Sequence, residues 1–346
     1  IDRAVQLGQT AIAFTEHGNI YQWVAKKMAC DKAGIKYLHG VECYLTEQLY
    51  EYPDVNDLWY EAQQGRSEEE AQKELSDLME SGKKKVRDNY HTILIAKNYD
   101  GILEINNLVS LSNREDHFYY KPRITFDEFL GISDNVIKIS ACLASPLNKL
   151  SIRHPMYEKL LRHYDYLEVQ AHNFGEQISY NCHLAEMSKK YGIPLIAGTD
   201  THSIDAYKAE CRSIMQLAKH IEFADEDSFD LTYKTYDELV EMFRIQHALP
   251  ESVFLQAIEN TNRMADSVEP FDLDVSFKYP KLYGAEDKAV FDDTIQKNFD
   301  AKIEEGAITQ EQIPKFKEAI KEECRVFDKI DMSGFMLFMS ELVTWC

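Results

Sequence analysis

Positive charge is scarce in this chain: 38 Lys and Arg stand against 59 Asp and Glu, a formal net charge of −21. Such a surface repels a phosphate backbone, so nucleic acid should bind poorly unless metal ions or another domain supply positive charge. Glycine is also sparse, 14 of 346 residues, and nothing resembles a phosphate-cradling GxxxxGK[ST] loop. No apolar run approaches the roughly 20 residues of a membrane span, and no secretory signal is visible, so no membrane partner is expected. The seven cysteines are scattered without a CxxC pair. That argues against a disulfide framework and for a reducing, cytoplasmic setting. No internal repeat, low-complexity segment or Ser-His-Asp constellation is present.

What the chain does have is a hydrophobic content of 45%, ample for a core, and short apolar runs that each carry a metal-ligand type of residue. The most telling is Ile193-Pro-Leu-Ile-Ala-Gly-Thr-Asp200-Thr-His202, a buried-strand pattern running into Asp-x-His. Earlier come Thr10-Ala-Ile-Ala-Phe-Thr-Glu-His17, Lys36-Tyr-Leu-His-Gly-Val-Glu42, His91-Thr-Ile-Leu-Ile-Ala and Val136-Ile-Lys-Ile-Ser-Ala-Cys142. A weaker run is Leu167-Glu-Val-Gln-Ala-His172. Carboxylates, imidazoles and a thiol arriving strand by strand suit a metal cluster at one rim of a β/α barrel.

Strand-like segments at 35–38, 92–97, 136–140, 166–170 and 193–197 alternate with helical spacing, which predicts parallel βαβ units. His91 departs from the pattern. It opens its strand where the others close theirs, so its membership in a shared cluster requires a shifted or reversed strand. Residues 46–88, with Ser67-Glu-Glu-Glu and a Lys83-Lys-Lys run, read as a solvated, partly helical insertion. Thr235-Tyr-Asp-Glu predicts a capped helix start. Residues 269–285 read as a linker and 286–346 as amphipathic helices ending in an apolar stretch. The absence of an initiator Met and the apolar end suggest a piece of a longer protein.

Taken in order, these motifs resemble the polymerase and histidinol phosphatase (PHP) domain, as found at the head of the alpha subunit of bacterial DNA polymerase III. Leu7 to Asn19, Gly40-Val-Glu-Cys-Tyr, Asn89-Tyr-His-Thr-Ile-Leu-Ile-Ala, Ser140-Ala-Cys-Leu-Ala-Ser and Gly198-Thr-Asp-Thr-His match its successive motifs. Tyr119-Tyr-Lys-Pro-Arg-Ile, Ala257-Ile-Glu-Asn-Thr-Asn-Arg-Met-Ala and Asp331-Met-Ser-Gly-Phe-Met are similar to stretches of the polymerase subunit.

The resemblance implies an α/β fold: a distorted (β/α)7 barrel over 1–268, then helices over 286–346 leading into a polymerase palm. It implies a divalent metal cluster held by His17, Glu42, His91, Cys142, Asp200 and His202, with Glu42 and Asp200 catalytic. Mixed N, O and S donors favour Zn²⁺, with Mn²⁺ or Fe²⁺ as alternatives. Arg123 and His172 are candidate substrate-binding residues. The implied activity is metal-dependent phosphoester hydrolysis, as a 3′→5′ proofreading exonuclease in replication, with DNA and other replicase subunits as partners. The alternative is an inactive scaffold that docks other subunits; a small-molecule phosphatase fits less well. The family's first His-x-His motif is absent from this chain, so weak activity or none is expected of it alone. Glu16 stands where Asp is common. Cys43 should point away from Glu42 into packing, and His39, His117, His154, His163, His183, His220 and His247 are expected on surfaces or loops.

Overall fold

Every residue from Tyr37 to Thr46 is buried, and that run forms the spine of the fold. In a computed structural model, which describes residues 1–220, 229–276, 278 and 280–346, the chain divides into two compact units, Ile1–Asp272 and Leu273–Cys346. The first opens with α1 (Asp2–Gln6), β1 (Ala11–Phe14), α2 (Trp23–Ala33) and β2 (Lys36–Thr46). An excursion follows, of β3 (Tyr50–Glu51), α3 (Val55–Ala62), α4 (Glu68–Gly82) and β4 (Lys84–Lys85). Then come β5 (Tyr90–Ala96), α5 (Tyr99–Ser112), β6 (Arg123–Thr125), α6 (Phe126–Leu130) and β7 (Val136–Ile139). Two short helices, α7 (Pro146–Lys149) and α8 (Tyr157–His163), lead to β8 (Leu167–Gln170), α9 (Gly175–Tyr191) and β9 (Leu195–Gly198). Helices α10 (Ala206–Ala218), α11 (Tyr236–Gln246) and α12 (Glu251–Ser267) complete the unit. The second unit holds α13 (Asp287–Glu304), α14 (Ile313–Lys329) and α15 (Ser333–Trp345), with Phe291, Phe299 and Leu337 buried. Residues 277 and 279 of the expected linker lie outside the described residues.

The sheet is mixed, which corrects the all-parallel expectation. Strands run in the order β1-β2-β5-β7, with β6 also on β2 and β8-β9 a separate pair. β1, β6 and the β8–β9 pair are parallel to their partners, as a crossover helix requires. β5 is antiparallel to both β2 and β7. The cause is the excursion: it returns the chain to where it left, pairing Leu45 with Tyr90, so β5 can only run back along β2. β2 also continues well past 38, because buried Glu42 and Gly40 interrupt its apolar pattern without ending the strand.

The excursion is folded. α3 and α4 bury Ala62 and Ala71, and Ser67 caps α4 reciprocally with Glu70. Thr235 and Glu238 form the same box at α11. The main core takes Val41, Cys43 and Leu45 from one face of β2. The opposite face sends Leu38 into a smaller cluster with Ile95, Ile137, Ile139 and Ile196, closed by Met264 and Val268 around the end of α12. Glu42 and Tyr44 share that second face by strand alternation.

Candidate metal centre

Glu42 is the hub. β1 effectively continues past Phe14 to lie beside it: Glu42 N–H donates to Glu16 C=O at 3.0 Å and Gly18 N–H donates to Glu42 C=O at 2.8 Å. This brings His17 Nε2 to 3.1 Å from Glu42 Oε2. The other oxygen, Oε1, is in close contact with His91 Nδ1. Because β5 is reversed, His91 near its start sits opposite Tyr44, at the end of β2 that bears Glu42. The strand reversal that the cluster required is therefore present.

Cys142 follows β7 through Ala141, which takes a left-handed φ of 59°. The turn is pinned by Ser145 N–H donating to Cys142 C=O and His91 N–H donating to Ala144 C=O, both at 3.0 Å. Cys142 Sγ lies 3.5 Å from His91 Nδ1. One donor atom each from Glu42, His91 and Cys142 lies within 4.8 Å of the others, the one such group of three among the described residues.

His202 borders this trio, its ring centroid 5.1 Å from that of His17. Its Nδ1 donates to Asp200 C=O at 2.7 Å, which leaves the lone pair on Nε2. That Nε2 is buried with no hydrogen-bond partner among the described residues, as expected of an imidazole nitrogen kept for a metal. Asp200 itself takes a left-handed φ of 46° just past β9, and its charge acts on Cys142. A carboxylate, imidazoles and a thiol in reach of each other, with an orphaned buried nitrogen beside them, fit a divalent metal.

Burial lowers the His17 pKa, against the pull of Glu42. Burial raises that of Glu42, but the His91 hydrogen bond and the charges of His91, His17 and His202 outweigh it and hold the carboxyl low. Burial, with the charges of Asp200 and Glu42, drives the Cys142 thiol well above its ordinary value. Glu16 is taken up by an ion pair with Lys26.

The two candidate substrate residues are placed differently. Arg123 is fully enclosed and donates to the backbone carbonyls of Val86, Asp88 and His117, where it ties loops together. His172 is buried against Phe229, ring centroids 4.7 Å apart, and burial pushes its pKa down to about 4; its Nε2 also lacks a partner among the described residues.

Glu168, on β8, escaped the sequence reading. It is buried and accepts from Gln170 Nε2 at 2.7 Å. Burial, with the charges of Asp200 and Glu42, pushes its pKa up to about 8. Leu167-Glu-Val-Gln alternates apolar and polar, the pattern of a half-exposed strand, yet both of its faces are buried. His39 and His117 correct the surface expectation, since both are buried. His39 lies between Tyr37 and Asn106, and His117 between Asp116 and Glu128. Cys43 is packed in the core, as alternation required.

A family profile described as PHP domain matches residues 1–177. The chain is 25% identical over 365 residues to the DNA polymerase III subunit alpha of Aquifex aeolicus, an overlap of 100% of this chain and 29% of that protein. It is 27% identical over 288 residues to the subunit alpha of Borreliella burgdorferi, covering 79% of this chain and 22% of that one. The chain thus spans under a third of either relative. A solved structure from Bifidobacterium adolescentis, described as a candidate metal-dependent phosphoesterase, overlaps 58% of this chain and 80% of its own at TM-score 0.35 and 10% identity, a level that carries no argument. The profile match, over just more than half of its length and spanning Glu42 and Cys142, makes this chain a member of the PHP domain family.

Proposed function

We propose that this chain is the PHP domain of a replicative polymerase alpha subunit, built on a distorted (β/α)7 barrel, and that it hydrolyses the 3′ end of DNA as a proofreading exonuclease. On this reading residues 286–346 lead into the polymerase palm, and DNA and replicase subunits are the partners. The observation that carries it is the convergence of Glu42, His91 and Cys142 beside the orphaned Nε2 of His202.

His17, Glu42, His91, Cys142, Asp200 and His202 would hold divalent metal, with the mixed donor set favouring Zn²⁺ over Mn²⁺ or Fe²⁺. Bound metal would supply an activated water and charge stabilisation for an in-line displacement at phosphorus. The chain's own groups prepare for it. Glu42 turns one oxygen to His17 and the other to His91, so it can bridge two ligand positions. Cys142, held as a thiol by burial, must release its proton on ligation. The Asp200 carbonyl fixes the His202 tautomer. The Asp200 carboxylate would accept the proton of the attacking water and return it to the leaving 3′ oxygen as the bond between that oxygen and phosphorus breaks.

Metal uptake and hydrolysis test this separately. The chain should bind Zn²⁺ at one equivalent or more by plasma mass spectrometry after dialysis, and His91→Ala and Cys142→Ser should each lose at least tenfold in affinity. With metal, the full-length polymerase that carries this domain should shorten a 5′-labelled single strand from its 3′ end, and Asp200→Asn there should slow this about 100-fold or more while sparing polymerisation. Metal uptake without any hydrolysis by the full-length polymerase, or degradation at an unchanged rate in its Asp200→Asn variant, would favour the scaffold reading instead.

A further inference from the structure

The turn carrying Tyr119-Tyr-Lys-Pro-Arg contributes nothing to the trio of donors, yet it is packed against the residues around them. Gly18, immediately after His17, leaves no room for a side chain: a Cβ there would lie 2.4 Å from Pro122 Cγ and 3.1 Å from Tyr44 Cε2. Tyr44 stacks beside His17, ring centroids 6.5 Å apart and 12° from parallel, and meets His91 edge-on at 5.1 Å. Lys121 Nζ stands 5.1 Å from the centre of that same Tyr44 ring and 3.4 Å from its hydroxyl.

Outward from Lys121 the chain presents an aromatic ring. Tyr120 is held at a left-handed φ of 58°, with Tyr119 N–H donating to Lys121 C=O across it at 3.1 Å. Its side chain is 71% exposed, and the Tyr119 ring lies 4.6 Å away. Arg87 Cζ sits 5.4 Å from the Tyr120 ring centre. Lys85 anchors the turn through the carbonyls of Glu115 and Phe118. A row that runs metal residues, Tyr44, Lys121, Tyr120, Arg87 is cationic and aromatic on a chain whose net charge is −21. Alternating cations and an exposed ring are what a single strand requires, since its phosphates need counter-charge and its unpaired bases offer π faces. A duplex has no free base to stack.

We propose that Tyr120, Lys121 and Arg87 form a single-stranded DNA subsite that seats the nucleotides next to the cleaved end. One base stacks on Tyr120, and the phosphates on either side pair with Lys121 and Arg87. The inference rests on the nuclease reading for which end of the strand is seated; the binding itself needs no hydrolysis.

The probe is a ten-nucleotide oligothymidylate with 2-aminopurine near its 3′ end and phosphorothioate linkages that block cleavage, titrated into the metal-loaded chain at low salt. Wild type should bind and quench the 2-aminopurine. Tyr120→Ala should lose the quench and bind about tenfold more weakly, whereas Tyr120→Phe keeps both. Lys121→Ala and Arg87→Ala should each flatten the plot of log affinity against log salt by about 0.7. None of the four should change metal uptake or melting. Wild-type affinity and quench in Tyr120→Ala would overturn the subsite, as would equal competition by polyglutamate or no binding at low salt. If the chain quenches as expected but the full-length polymerase cleaves no unmodified strand, the nuclease reading fails and the subsite stands. If cleavage is robust and Tyr120→Ala leaves kcat/KM unchanged, only the subsite fails.

Discussion

Glu168 shows what a single residue can reveal that spacing does not. The carboxyl is buried, burial and the neighbouring acids push its pKa up to about 8, and Gly198 leaves just enough space for it, since a Cβ at 198 would lie 2.0 Å from Glu168 Oε1. At neutral pH, without metal, the folded chain therefore carries a proton there that the unfolded chain has lost. Its contribution to stability is full below about pH 4.5, declines as pH rises, and is gone above about pH 8, at roughly 1.4 kcal/mol for each pKa unit. Glu168→Gln keeps the shape and the Gln170 hydrogen bond without the titration. In urea unfolding of the metal-free chain its stability relative to wild type should grow from pH 5 to pH 8.5; a constant difference would show that Glu168 does not titrate in this window. His39 acts with the opposite slope. Burial lowers its pKa to about 4, so it favours folding at neutral pH and opposes it as pH falls below about 6.5. The candidate ligand residues that converge, Glu42, His91 and Cys142, were legible because their types recur beside apolar runs. Glu168, His39 and His117 were not, because burial is a property of three-dimensional neighbours that one strand's pattern does not record.

At the scale of elements, most strands and helices were legible, since apolar runs bounded by capping residues mark them whatever the topology. Strand direction was not. Nothing in Tyr90 to Ala96 encodes that β5 runs antiparallel; that follows from the excursion closing on itself between Leu45 and Tyr90. The join between β5 and α5 illustrates how closely the elements meet. Asn98 caps α5 by accepting from Gly101 N–H at 3.0 Å, and Lys97 N–H donates to Asn135 C=O at 2.8 Å. A Cβ on Gly101 would lie 2.1 Å from that same carbonyl oxygen. Alanine gains about 1 kcal/mol of helix propensity, but overpacking against backbone costs about 1–3 kcal/mol, and the carbonyl cannot retreat without breaking its bond to Lys97. Gly101→Ala should therefore lower the urea midpoint with an unchanged m value. Stability equal to wild type would mean that the 133–136 segment shifts freely.

Across the whole molecule the dominant quantity is the excess of 59 acidic over 38 basic residues, and it sets two salt dependences of opposite sign. Exposed ion pairs such as Arg244–Glu251, Lys288–Asp292 and Arg325–Glu322 are numerous, but each contributes only about 0–1 kcal/mol and weakens with added salt. The uncompensated charge acts at longer range, because the screening length is about 30 Å at 0.01 M and about 8 Å at 0.15 M. Salt therefore removes more repulsion than attraction, and the melting temperature should rise between 10 and 200 mM NaCl. Single-strand affinity should fall over the same interval, because phosphate contacts release counter-ions into a more concentrated bath. Circular-dichroism melts and oligonucleotide titrations on one preparation check both. A melting temperature that falls with salt would show that the local ion pairs outweigh the net charge. An affinity that does not fall would mean that the strand is held by stacking alone, with Lys121 and Arg87 taking no part.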